Sequence, residues 1–98
     1  MKRIANKVAY HFAYNKIDFQ GSNLQGKREG NKYIIRSYGW YPLFLWMDGR
    51  WFENAEKYSI STSKQTSQCR PTKGTNEDTI MVDYEAMKRL LAMVEVSA

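Results

Sequence analysis

The sequence predicts an α+β fold: a small antiparallel sheet with a central β-hairpin, a short helix after a Tyr-Ser motif, and a C-terminal amphipathic helix packed on the sheet. Three observations carry that expectation. The run KYIIRSYGWYPLFLWMDGRWFEN (32–54) is dense in aromatic and β-branched residues, the types that suit a pleated, half-buried surface. Thr62 and Gln65 stand at the spacing of a capping box, in which the hydroxyl accepts from the N–H three residues on and the amide reaches back to the cap's own N–H. Met87, Leu90, Leu91 and Val94 stand at i, i+3, i+4 and i+7, which lines one helix face with apolar side chains.

Taken in order, NKVAYHFAYNK (6–16) alternates Val8, Tyr10, Phe12 and Tyr14, which predicts a half-buried strand, although Ile4, Val8 and Phe12 also fit a helical stripe. QGSNLQGKREGNK (20–32) has three glycines and only Leu24 as an apolar side chain, so it reads as a mobile basic loop. In 32–54 the Asp48-Gly49 pair between LFLWM and RWFE predicts a two-residue hairpin turn, because both central residues of a type I′ turn need positive φ. Pro42 cannot donate to a ladder and predicts an edge position or a bulge. A helix from Ser63 to about Cys69 should stop before Pro71, which disfavours helical geometry at Arg70. A brief strand over 79–82 and a helix capped by Asp83 follow, with Glu85 suiting the first turn's dipole; a helix beginning at Thr79 is the alternative.

At 98 residues the chain should make one domain with one small core. No apolar run reaches the ~20 residues of a bilayer span, and no secretory signal is evident, so the expectation is a protein of the cytoplasm that does not engage membranes. The lone Cys69 excludes an internal disulfide, and with a single histidine it completes no structural zinc site; no metal or cofactor is expected. The net charge of +5 is uneven: residues 1–32 carry seven cations and two anions, the rest eight of each. Such a basic side either keeps a small domain in solution or faces a polyanion.

The stretch SYGWYPLFLWMDGRWFENAEKYSISTSKQTSQCRP (37–71) resembles a widespread group of short, mostly uncharacterised proteins encoded by bacteriophages and plasmids. Ser37, Tyr38, Pro42, Tyr58, Ser59, Thr62, Ser63, Lys64 and Gln68 carry the resemblance, which spans about a third of the chain. It departs at Gln65, where many such sequences have histidine, so a role resting on that imidazole could not operate here. The resemblance implies a small accessory gene of a mobile element in a bacterial host and brings no established activity.

The residues offer little to catalysis. His11 sits alone among aromatics, Cys69 has Arg70 beside it but no base, Ser59, Ser61 and Ser63 read as caps and turns, and Asp48, Glu53 and Glu56 read as solvated hairpin surface. The sequence therefore predicts a non-enzymatic binding protein, an inhibitor or modulator of a host system such as an anti-defence protein, whose partner is a host protein or ribonucleoprotein complex. Candidate partner-binding residues are Tyr38, Trp40, Arg50, Trp51, Tyr58, Lys64 and Gln68, because Trp, Tyr and Arg dominate interface energetics. Trp40 and Trp51 lead, each lying near a turn or the Pro42 irregularity where a ring stays partly exposed. The alternative is direct single-stranded nucleic-acid binding, with aromatic stacking bordered by Lys27, Arg28, Lys32 and Arg36. A homodimer through a sheet edge or Trp patch stays open as well.

Overall fold

The computed structural model describes residues 2–56, 65–66, 68–72, 75 and 78–93. Among the described residues, seven strands form one sheet in chain order: β1 (Lys2–Arg3), β2 (Phe19–Gln20), β3 (Leu24–Glu29), β4 (Lys32–Ser37), β5 (Tyr41–Met47), β6 (Arg50–Asn54) and β7 (Ile80–Val82). The mixed α and β character agrees with the sequence, but the sheet is larger than the small one expected. Its four inner pairings are antiparallel, while β1–β2 and β6–β7 are parallel. Parallel neighbours need a long crossover rather than a tight turn. The chain supplies them as residues 4–18, which contain α1 (Ala9–Tyr14), and residues 55–79, in which Gln65, Thr66, Gln68 and Cys69 are helical.

Both crossovers supply the same layer. Ala9, Ala13 and Cys69 bury against Tyr33, Ile35, Phe44 and Trp51 on one sheet face. A later helix, α2 (Tyr84–Ala92), brings Met87 onto Ile34, Leu45 and Met47 on the other face, with Leu90 and Leu91 half-buried beside it. Coverage on both faces explains why β4 and β5 are almost continuously buried.

Two sequence expectations need correction. Residues 6–16 form no strand: a 3₁₀ turn (Asn6–Val8) leads into α1, whose buried residues are Ala9 and Ala13 while Val8 and Tyr14 stay exposed. Two alanines one turn apart let the helix approach the sheet closely, and that packing outweighs the alternation of larger side chains. Residues 20–32 are likewise no open loop, since β3 pairs with β4 along all six of its residues, from Leu24↔Ser37 to Glu29↔Lys32. Gly26, which suggested a loop, is a packing residue, because a Cβ there would collide with the rings of Phe19 and Tyr33.

The remaining elements follow the sequence. Asp48 and Gly49 have φ +54° and +74°, the paired positive values of a type I′ hairpin. Pro42 marks a bulge in the interior strand β5 rather than an edge: Ile35 pairs with Phe44 and Arg36 with Pro42, leaving Leu43 as the extra residue. The Asp83 carboxylate accepts from Ala86 N at 2.7 Å and caps α2. Thr62, Val94 and most of the Tyr-Ser motif lie outside the described residues. Gln65 is described, and both ends of its amide bond across the chain to other elements.

Candidate partner-binding site

The site is built on the β4–β5 turn. Tyr38 and Gly39 have φ +54° and +78°, and the turn is closed by Trp40 N donating to Ser37 O at 3.2 Å. A tyrosine in the left-handed region is a costly backbone choice that persists only where surrounding bonds over-determine it. Those bonds are present. Tyr38 N donates to Asn23 O at 2.9 Å, and Asn23 O also accepts from Gln65 Nε2 at 3.2 Å. Gln65, 2% exposed, in turn accepts from Ser37 Oγ at 2.6 Å. The strand end, the β2–β3 connection and the second crossover therefore meet at one hydrogen-bonded node under the turn.

This node fixes two rings at the surface. Tyr38 is 55% and Trp40 58% exposed, and Trp40 stands edge-on to buried Tyr41 with ring centres 5.3 Å apart. The node's Asn23 and Gln65 also help to wall an amide-rich pocket of about 450 Å³, together with Asn6, Lys7, Ser22 and Gln68. Its rim is ordered by Asn6, whose Nδ2 donates to Asn23 Oδ1 and whose Oδ1 accepts from Ser22 N. Exposed aromatic rings next to side-chain amides offer apolar contact together with donors and acceptors of both kinds.

Tyr38 and Trp40 thus share one turn, and Gln68 lines the pocket that the node under that turn helps to wall through Asn23 and Gln65. Arg50 and Trp51 do not join them, since they follow the β5–β6 turn at the other end of β5. Trp51 also corrects an expectation: it is 6% exposed, edge-on to Tyr33 and Phe44, and belongs to the core. A residue one step past a tight turn already points to a sheet face, and here that face is covered. Tyr58 and Lys64 lie outside the described residues.

Of the cations in the nucleic-acid alternative, Lys27, Lys32 and Arg36 share one face of the β3–β4 pair, but two of them are already engaged. Lys27 and Arg28 are exposed on β3, but Arg36 is ion-paired with Glu29 at 2.7 Å. Lys32 is buried, its ammonium donating to Leu91 O and Met93 O at the end of α2, where a positive charge suits the helix dipole.

The remaining reactive groups stand apart. His11 is exposed on α1, whereas Cys69 is buried with its thiol toward Thr66 O. Glu53 departs from the solvated surface expected of it. It is 3% exposed, receives a two-pronged contact from Arg70 and accepts from Thr79 Oγ1 at 2.9 Å, tying the second crossover to β6. Asp48 is exposed at its turn, and exposed Glu56 accepts from Tyr84 N at 3.0 Å. Burial and nearby Asp18 hold the Tyr33 hydroxyl protonated well above the usual phenol range, and it donates to Ile17 O at 2.7 Å. Among the described residues no cluster of His, Cys, Asp or Glu could hold a metal ion, and no helix is long and apolar enough to cross a membrane. Comparison with known proteins finds no matching family model, curated protein or solved structure.

Proposed function

We propose that this chain is a non-enzymatic binding protein of a phage or other mobile element that acts in the host cytoplasm as an inhibitor or modulator of a host system, docking through the Tyr38–Trp40 turn and the adjoining amide pocket. The observation that carries the reading is the pair of half-exposed rings held on a strained, hydrogen-bonded turn. Rigid aromatic anchors lose little conformational entropy on binding, and Trp and Tyr are the residue types at which truncation most often costs an interface 2 kcal/mol or more. The surrounding amides and Lys7 fit a polar rim around such anchors.

The test is affinity capture from the bacterial host, with and without nuclease, comparing the natural chain with Trp40→Ala and Tyr38→Ala. Nuclease-resistant retention of a host protein that falls about thirtyfold or more in Trp40→Ala is expected, the equivalent of about 2 kcal/mol. Retention that disappears with nuclease and survives both ring deletions would sink the proposal in favour of nucleic acid.

A further inference from the structure

At the opposite end of β5 lies a groove of about 660 Å³, within the size range of small-ligand sites. Its walls include Tyr14, Trp46 and Trp51, with Lys16, Arg50 and Asp78 converging on them. Lys16 has φ +54°, and its ammonium stands 4.6 Å from the centre of the Trp46 ring, with Trp51 and Tyr14 at 5.8 and 5.9 Å. Among the described residues neither Lys16 nor Arg50 is in a salt bridge, nor is Asp78.

We propose that this groove binds a nucleotide, a planar base carrying a phosphate, independently of the Tyr38–Trp40 surface. Five considerations select that chemistry. Two unbalanced cations against one carboxylate call for an anion. A cationic ligand is disfavoured because the Lys16 ammonium already stands over the Trp46 ring. A purely apolar ligand would strip water from three charged groups without replacing it. A guanidinium fork and an ammonium suit the oxygens of a phosphate, while Tyr14, 44% exposed, offers ring surface for the base. Asp78 can only accept, which suits a sugar hydroxyl or an exocyclic amino group.

The chain has three tryptophans, so a Trp40→Phe background leaves only the two in the groove. Indole fluorescence is titrated with adenosine monophosphate, an eight-residue oligodeoxythymidylate, adenosine and inorganic phosphate. Saturable quenching by the mononucleotide or the oligonucleotide is expected, with adenosine and phosphate each about tenfold weaker or worse, since each supplies only half of the contacts. Saturation by the mononucleotide points to a free nucleotide as source, and by the oligonucleotide alone to a single strand. Arg50→Gln and Lys16→Gly should each weaken binding by about tenfold, whereas Lys27→Gln, outside the groove, should leave it within about twofold. Glycine at position 16 suits the positive φ, and circular dichroism checks that the fold is kept; if it is not, Arg50→Gln decides. The proposal is overturned by no saturation up to about 10 mM of either nucleotide ligand. Phosphate binding as tightly as the nucleotide, or Lys27→Gln weakening binding as much as Arg50→Gln, also overturns it.

Discussion

The node beneath the Tyr38 turn can be dissected with Ser37→Ala, Gln65→Leu and the double variant. Ser37 is fully buried and Gln65 nearly so, and the 2.6 Å bond between them joins β4 to the second crossover. Ser37→Ala leaves Gln65 Oε1 buried without that donor, and Gln65→Leu leaves the Ser37 hydroxyl without its acceptor. Each stranded group costs roughly 1–3 kcal/mol. Gln65→Leu also removes one of two donors to Asn23 O, but Tyr38 N still satisfies that carbonyl, so the extra loss is small. Removing both partners strands neither, so the double variant should be less destabilised than the sum of the singles by about 1–2 kcal/mol. For a chain of this length each kcal/mol corresponds to about 4–8 °C in Tm, so the singles should melt about 5–20 °C lower. Thermal and urea unfolding, followed by circular dichroism at fixed pH, measure the cycle. Strict additivity, or singles within about 0.5 kcal/mol of the natural chain, would refute the node as the element holding the turn.

Three other outcomes are open to measurement. Trp51→Ala should cost about 3–5 kcal/mol in urea unfolding, because it empties a site 6% exposed, whereas Trp40→Ala should stay within about 0.5 kcal/mol; equal costs would contradict the assignment of one ring to core and the other to surface. Arg70→Met should destabilise by about 3 kcal/mol, because it leaves the buried Glu53 carboxylate without its guanidinium, and Glu53→Ala should be milder because the guanidinium it releases is the more exposed partner and can reach water; the reverse order would contradict the pairing. Tyr33 should make stability pH-dependent in the alkaline range. Its folded pKa is raised, so its contribution is complete below the unfolded value of about 10 and is lost above it, at about 1.4 kcal/mol per pH unit; Tyr33→Phe should flatten that limb, and an unchanged alkaline slope would contradict a buried hydroxyl.

What the sequence determined by itself was local. The Asp48-Gly49 turn, the Pro42 bulge, the Asp83 cap and the apolar stripe from Met87 to Leu91 each depend on backbone chemistry or periodicity within a few residues, and each is found where those residues stand. Trp40 is exposed as its place beside the Pro42 irregularity suggested, but the same reasoning failed for Trp51, which is 6% exposed. The tertiary structure decided whatever depended on a distant partner. Residues 6–16 became a helix because Ala9 and Ala13 met a sheet face formed from β2 onward, and residues 24–29 became a strand because β4 supplied its ladder. Trp51, Lys32 and Glu53 resemble surface residues in sequence, yet each is buried against elements remote in the chain. The node joining Ser37, Asn23 and Gln65, and the groove joining Lys16 to Trp46 and Arg50, rest on contacts between remote segments; composition gives the rings, amides and charges, and only the folded chain sets which of them face one another.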